Sequence, residues 1–311
     1  MKIATILPYK ENYTFSKAQA AAIWVCDFYK YSKFKNTNFI YGNTSSDDFL
    51  TKNYVNIKIN NLKSKFTSST KEYCNNFVDI AVNEKFDIIE IHNRPLVFNY
   101  LKKKINSKFI LYFHNDPLSM NGSKSINERI YLLNNLDQII FNSIWSQKRF
   151  FIGLSNHKNL LNKTSVCFQS SSKTKINFKN KKEIISFVGK LNKAKGYDIF
   201  GQAIVRILDK YPNWSAKVFG DEPREILSFK HKNLKILGFK SNEYILDNLK
   251  EISISVVCSR WEEPFGRTSL EAASRGCAVI ISDRGGLKET ITDGVIIKKN
   301  TINNIFKSID N

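Results

Sequence analysis

Ser259-Arg-Trp-Glu-Glu263-Pro264-Phe265-Gly266-Arg267-Thr268-Ser269-Leu270-Glu271 is the stretch on which the fold turns. It follows the apolar, β-branched run 252–257, which reads as a buried strand. Pro264 and Gly266 set a turn, and Thr268 or Ser269 caps or starts a helix over 267–275 that Gly276 closes. Strand, turn and helix in this order form the repeating unit of an α/β protein. Glu271 falls inside the helix beside Leu270, Ala272 and Ala273, so it is expected to be part-buried or to face a cleft. A buried carboxylate needs hydrogen-bond donors. The vicinal hydroxyls of a ribose would supply two. Glu263 precedes the helix, within reach of sugar hydroxyls. The N–H groups of Phe265, Gly266 and Arg267 at the helix start can receive phosphate oxygens. Taken alone, the two glutamates also read as a cap and a surface charge.

The same unit occurs twice more. In Phe187-Val-Gly189-Lys190-Leu-Asn-Lys-Ala-Lys195-Gly196-Tyr-Asp198 a strand over 183–188 ends, Gly189 turns the chain, and a helix over 196–211 begins. Lys190 and Lys195 flank a helix start, which itself carries free N–H groups and positive dipole charge. That combination suits a diphosphate, although solvated lysines on an ordinary loop compete as a reading. The segment is neither GxGxxG nor a Walker A loop, which weakens dinucleotide and nucleoside-triphosphate readings. In Ile280-Ile-Ser282-Asp283-Arg284-Gly285-Gly286-Leu287-Lys288-Glu289 a strand over 278–282 feeds a glycine pair and an expected helix start. Three such turns at strand carboxyl ends converge on one cleft.

Outward from these motifs the alternation continues. Strands are expected at 216–219 and 234–237, with a helix at 242–249. In the first half, strands are expected at 3–7, 38–41, 87–91, 109–113, 138–142 and 165–168. Helices are expected at 18–31, 127–135 and 144–152. The stretch 169–182 is polar, basic and without period. It places a linker at 171–182 between domains 1–170 and 183–311. The expected fold is α/β, two Rossmann-like domains facing a central cleft. No apolar run approaches the ~20 residues of a membrane-spanning helix, and the apolar start 1–8 is too short for a secretory signal. Five cysteines without a CxxC pair and four scattered histidines suggest reduced thiols, a cytosolic compartment and no metal site.

The chain carries 48 Lys+Arg against 28 Asp+Glu, a net of +20. Residues 1–178 hold 25 basic and 12 acidic residues, and the remainder 23 and 16, so the first half carries most of the excess. Such a surface favours nucleic acid, an anionic leaflet or a phosphorylated acceptor. An A+T-rich coding bias toward Lys, Asn, Ile and Phe gives the same composition without function. No basic–aromatic recognition motif accompanies the charge, so no nucleic-acid partner is expected.

The three motifs in this order resemble the nucleotide-binding domain of GT-B glycosyltransferases of the retaining family 4 type. That pattern joins G-R/K-x4-K-G, E-x7-E and G-G-x-x-E. Here it is met by Gly189-Lys190, Lys195-Gly196, Glu263, Glu271 and Gly285-Gly286 through Glu289, within 185–294. The resemblance implies that Lys190 and Lys195 hold a donor diphosphate. Members often have arginine at the place of Lys190, so the charge is kept and the bidentate fork is lost. It further implies that Glu263 contacts the donor sugar with help from the Phe265–Gly266 backbone, and that Glu271 holds ribose hydroxyls. Arg267 occupies a variable position.

In the first half, 9–18 lacks the glycines of the family's phosphate loop and reads as an acceptor-facing loop. His92 and His114 end strands and are expected to point into the cleft. His114 resembles the family histidine beside the transferring sugar, which makes His114 and Glu263 the expected catalytic residues. A structural, hydrogen-bonded role competes for His92, and Asp116 before Pro117 reads as an acid or base or as the start of a turn. The resemblance implies transfer from a nucleotide sugar, UDP-sugar favoured, to a hydroxyl of a cell-envelope glycan or glycolipid. It implies retention and neither a metal nor another cofactor. The expected location is cytoplasmic, peripheral on the cytoplasmic face of the inner membrane. A non-catalytic sugar-nucleotide or nucleic-acid binder on the same fold is the alternative. Only 291–311 follow the third motif, so the family's closing helix is expected to be missing.

Overall fold

The computed structural model describes residues 1–59 and 68–311. They form two units, Met1–Phe168 and Gln169–Asn311. The first is built on seven parallel strands: β1 (Ile3–Ile6), β2 (Asn38–Gly42), β3 (Tyr54–Asn56), β4 (Ile88–His92), β5 (Lys108–Phe113), β6 (Gln138–Phe141) and β7 (Thr164–Val166). Their spatial order is β3-β2-β1-β4-β5-β6-β7. The helices are α1 (Ala20–Tyr31), α2 (Ser69–Glu84), α3 (Pro95–Leu101), α4 (Ile126–Asn135) and α5 (Ile144–Phe150).

Side chains alternate across a strand, so every second residue faces one way. Ile89 and Ile91, Phe109, Leu111 and Phe113, and Ile139 and Phe141 enter one apolar core with Phe77, Phe98 and Phe150. Glu90, His92, Tyr112 and His114 take the intervening positions. The opposite face is therefore partly polar, although His92 and His114 are buried there.

The second unit holds six parallel strands: β8 (Lys182–Val188), β9 (Ser215–Phe219), β10 (Leu234–Ile236), β11 (Ile252–Val257), β12 (Ala278–Ser282) and β13 (Val295–Ile297). Their order is β10-β9-β8-β11-β12-β13. Its helices are α6 (Tyr197–Lys210), α7 (Asn242–Leu249), α8 (Arg267–Ser274) and α9 (Ile302–Asp310). Ile199, Phe200, Ala203, Ile204, Ile207 and Leu208 give α6 a buried stripe at helical spacing. In each sheet the strand order runs outward in both directions from one central pair, β1 with β4 and β8 with β11. That reversal defines a doubly wound Rossmann-type sheet, and ligands bind where the loops leaving that pair diverge.

One expectation about organisation changes. The stretch 169–182 is not a free linker. Arg275 Nη1 donates to the Ser172 carbonyl at 2.8 Å and Nη2 to Ser172 Oγ at 2.8 Å. Lys181 Nζ donates to the carbonyls of Leu249, Ile252 and Arg275 at 2.9, 2.7 and 2.7 Å. Polar composition here marks hydrogen bonding to the second unit, and the boundary falls after Phe168. The tail 291–311 contains β13 and α9, and α9 lies on α6 with the Arg206 guanidinium 4.8 Å from the Phe306 ring. Among the described residues no helix is long and apolar enough to cross a membrane. All five cysteines are free thiols.

Candidate functional site

The loops leaving β8 and β11 flank the switch point of the second sheet, and they are tied together. The Ala194 carbonyl accepts from the backbone N–H of Arg260 at 2.9 Å and of Trp261 at 3.0 Å, and from Ser259 Oγ at 3.2 Å. Gly196 caps α6 with φ of +76°, and a Cβ there would lie 1.9 Å from the Cys258 carbonyl oxygen. Only glycine lets the two backbones approach so closely. This brings Lys195 Nζ to 2.5 Å from Glu263 Oε1, which also accepts from Ser259 Oγ at 2.8 Å. Arg260 closes the outer side of the loop on Asp198, at 2.5 and 2.8 Å.

The loop leaving β12 is tied to the same place. Gly286 N donates to the Glu263 carbonyl at 2.7 Å, Gly285 N to Glu262 Oε2 at 2.6 Å, and Ser282 Oγ to the Ser259 carbonyl at 2.7 Å. A Cβ on Gly285 would sit 2.1 Å from the Glu263 carbonyl oxygen, with φ at +58°. The glycine pair thus serves as the floor under Glu263. It does not start a helix, because only one 3-10 turn, Leu287–Glu289, follows. The convergence of three loops expected from the sequence is present as this set of hydrogen bonds.

α8 begins at Arg267 with Gly266 as its N-cap, at φ of +109°. Neither Thr268 nor Ser269 caps it. Ser269 Oγ donates back to the Gly266 carbonyl at 2.7 Å and pairs with Thr290 Oγ1 at 2.6 Å. Phe265 is buried, which anchors the turn in the core. Glu271 is buried at 3 % exposure, and its Oε1 receives Arg267 Nε at 2.6 Å and Asn242 Nδ2 at 2.8 Å. So a carboxylate read as waiting for ribose donors already holds protein donors, and Arg267 acquires a definite role as its partner. Asn242 carried no signal in the sequence, since it is simply the first residue of α7. Lys190 is exposed and engages Glu222 electrostatically. Gly189 N donates to the Phe219 carbonyl at 3.0 Å, which fixes the mouth of the first loop.

In the first unit, His92 Nδ1 and His114 Nε2 lie 2.8 Å apart. Both rings are buried, at 3 % and 7 % exposure. Trp24 of α1 covers them edge-on, its ring centroid 4.4 Å from that of His114. Tyr112 stacks on His92 at 4.5 Å. Burial pushes the His114 pKa down to about 3. Burial, then the neighbouring His114, holds His92 well below its ordinary value. Both rings are neutral at pH 7, so one N–H donates to the other ring's lone pair. No hydrogen-bond partner reaches His92 Nε2 or His114 Nδ1 among the described residues.

The histidines continue a polar row along the sheet. Glu90 accepts from Thr5 Oγ1 at 2.7 Å and Tyr112 Oη at 3.0 Å, and burial raises its pKa against those two bonds. Asn93, which follows β4 at φ of +59°, accepts at Oδ1 from the N–H groups of His114 and Asn115 at 3.3 and 3.1 Å. Asparagine tolerates this backbone region better than most residues, and its place after a strand-end histidine was the available signal. Asp116 caps the turn Pro117–Ser119 through Leu118 N at 3.0 Å and pairs with Arg149 at 2.9 Å. Its carboxylate is committed to the fold, in line with the turn-starting reading. Among the described residues no group of three or more His, Cys, Asp or Glu is placed to hold a metal ion.

Residues 168–311 match the family model of glycosyl transferases group 1. Spore coat protein SA of Bacillus subtilis is 27 % identical over 243 residues, 68 % of this chain and 63 % of that protein. The lipopolysaccharide core biosynthesis mannosyltransferase LpsB of Rhizobium meliloti is 28 % identical over 123 residues, 36 % of this chain and 35 % of that protein. The chain thus spans 63 % of the first of these relatives. Among solved structures, Anabaena HepE in complex with UDP-glucose superposes with a TM-score of 0.76 at 16 % identity, over all of this chain and 89 % of that one. The likeness shows a fold of two Rossmann-like domains over the whole chain, and residues 168–311 are similar to the glycosyl transferases group 1 family.

Proposed function

We propose that the protein is a glycosyltransferase that moves a sugar from a nucleoside-diphosphate donor to a hydroxyl acceptor. The Lys195–Glu263 pair at the switch point of the second sheet carries this reading. It lies inside the family domain and is fixed by three hydrogen-bonded loops. Departure of a nucleoside diphosphate builds negative charge on its oxygens, and Lys190, Lys195 and the N–H groups at the start of α8 would stabilise it. Glu263 would hold sugar hydroxyls and Glu271 the ribose, each already oriented by a neighbouring cation. His114 would be the catalytic residue of the first unit. UDP is the favoured donor nucleotide, since HepE was solved with UDP-glucose. The acceptor would be a cell-envelope glycan or glycolipid, as for the mannosyltransferase relative. The reaction would retain anomeric configuration, need no metal, and run at the cytoplasmic face of the membrane.

A thermal-shift screen against UDP-, GDP- and ADP-sugars tests the donor, since a ligand of the native state raises its melting temperature. UDP-sugars should raise it, and Lys195→Ala should abolish the rise. No shift with any of the three would refute the reading.

A further inference from the structure

Nearly every polar group of His114 has a partner. Its backbone N–H donates to Asn93 Oδ1 at 3.3 Å, and its carbonyl accepts from Asn142 Nδ2 at 3.0 Å. Its Nε2 meets His92 Nδ1 at 2.8 Å, and Trp24 packs against the ring. The one polar atom left over is Nδ1, buried and without a partner among the described residues. His92 has a counterpart in Nε2, buried and unpaired in the same sense. Buried polar atoms are nearly always satisfied, so two orphans at the two ends of one hydrogen-bonded pair need a reason.

The bond between the rings couples those ends. A neutral imidazole carries one N–H and one lone pair. If the shared proton sits on His92 Nδ1, His114 Nε2 accepts it and both rings are protonated at Nδ1. His114 then has its N–H at the free end, and His92 Nε2 is a bare lone pair. If the shared proton sits on His114 Nε2, both rings are protonated at Nε2. The free N–H then belongs to His92, and His114 Nδ1 is bare.

The surroundings of His92 choose between the two. Its ring stacks on Tyr112 with centroids 4.5 Å apart, and the Tyr112 hydroxyl is committed to Glu90. Its other aromatic neighbour is Trp24, whose single polar atom is a donor and is itself unpaired among the described residues. A His92 Nε2–H would be one more buried donor without an acceptor, and an orphaned buried N–H is rarer than an unused acceptor. A bare Nε2 suits the same place. The free N–H then lies on His114, the less deeply buried of the two rings. No anion acts on either ring to alter this, since burial, with the partner ring in the case of His92, accounts for both depressed pKa values.

We propose that His92 is a positioning residue for His114: by donating Nδ1–H to His114 Nε2 it keeps the His114 proton on Nδ1, as a hydrogen-bond donor available to a substrate oxygen. His114 then has no free lone pair and does not act as a base. The substrate's part in this rests on the glycosyltransferase reading, and the direction of the bond rests on the pair alone.

The chain has four histidines, so a long-range proton–nitrogen NMR spectrum of the full chain, labelled at the histidine ring nitrogens, resolves each ring. At pH 7 both rings of the pair should be protonated at Nδ1 and bare at Nε2. Protonation of both at Nε2 would overturn the proposal, and this wild-type spectrum decides the point whatever the stability of any variant. Two variants read the consequence. His92→Phe keeps a ring against Tyr112 and Trp24 and removes the donor, whereas His92→Asn loses the ring and keeps an amide donor near the place of Nδ1. For UDP release from UDP-glucose with water as acceptor, kcat should fall about tenfold in His92→Phe, as for one lost hydrogen bond. KM for UDP-glucose should stay within about twofold, and His92→Asn should recover most of the loss. A packing role predicts the reverse order of the two variants, and that order would overturn the proposal. So would an Nδ1–H on His114 that persists unchanged in His92→Phe. Absence of UDP release by wild type, with both rings protonated at Nδ1, would remove the transferase reading and leave the direction of the bond standing.

Discussion

Gly285→Ala places a methyl group where the structure has room for a hydrogen. The Cβ would lie 2.1 Å from the Glu263 carbonyl oxygen and 2.7 Å from its nitrogen, against 3.4 Å or more for ordinary contact. The two segments must separate by more than an ångström. That movement breaks the bond from Gly286 N to the Glu263 carbonyl, worth about 1 kcal/mol net. The left-handed backbone adds roughly 1 kcal/mol for any residue with a Cβ. With residual strain the loss should reach about 3 kcal/mol. Gly238 supplies the control, because it is also left-handed, at φ of +69°, yet a Cβ there meets nothing within 4 Å. Gly238→Ala should therefore cost about 1 kcal/mol. The melting temperature should fall by roughly 6–12 °C in the first variant and 2–4 °C in the second. UDP-glucose affinity should drop at least about tenfold in Gly285→Ala only, since about 1 Å of displacement at Glu263 spoils a positioned contact to the donor sugar. Equal destabilisation of the two variants, or unchanged UDP-glucose affinity in Gly285→Ala, would refute the account of the glycine pair as the floor under Glu263.

Three other outcomes follow from the geometry. Glu271→Gln keeps the side-chain shape and an acceptor for Asn242 but loses the charge facing Arg267. It should weaken UDP binding about tenfold and still melt cooperatively, and calorimetry with UDP reads the difference. His92 and His114 have folded pKa values below the ordinary 6.5, so the unfolded chain binds more protons as pH falls through that value. Stability should be complete above about pH 6.5 and fall below it, with His114 alone accounting for about 2 kcal/mol by pH 5. His114→Gln should flatten that fall in urea titrations at pH 7 and pH 5, and an identical fall in both proteins would sink the assignment. Asp116→Ala should lower stability by about 1–3 kcal/mol through the lost cap and ion pair. It should leave the shape of the pH–rate profile unaltered, and loss of one limb of that profile would instead make Asp116 an acid or base.

Much of the architecture was open to reading because apolar runs and glycines mark it directly. The strand 252–257 and the helix 242–249 fall where the pattern puts them. What the pattern missed has physical reasons. α2 carries its stripe of Tyr73, Cys74, Phe77 and Ala81 inside a sequence broken by Asn75, Asn76, Asp79 and Asn83, so its periodicity is diluted. α3 opens with Pro95 at its first turn, a favourable place for proline, but its seven residues are too few to show a helical period. α9 shows apolar Ile302, Ile305, Phe306 and Ile309 at helical spacing after β13, beyond the last motif.

At the site, the identity of the charged residues was visible and their pairing was not. Lys195 with Glu263, Glu271 with Arg267 and Asn242, and His92 with His114 are separated by 68, 4, 29 and 22 positions respectively. Only the Arg267–Glu271 spacing of one helical turn lies within reach of sequence inspection. The others arise from strand order, which no local pattern encodes. Burial of the histidines likewise depends on Trp24, a residue of the first helix.

The ammonium of Lys181 gathers the carbonyls of Leu249, Ile252 and Arg275 onto one atom. This sets where the chain can be divided. A fragment starting at Glu183 would discard that ammonium along with Ser171 and Ser172, and it would uncover three carbonyl ends on α7, β11 and α8 at once. A fragment starting at Gln169 keeps them closed. A fragment carrying the second sheet with these carbonyls capped therefore begins within the polar stretch, and the sequence that resembles a tether is a fastening.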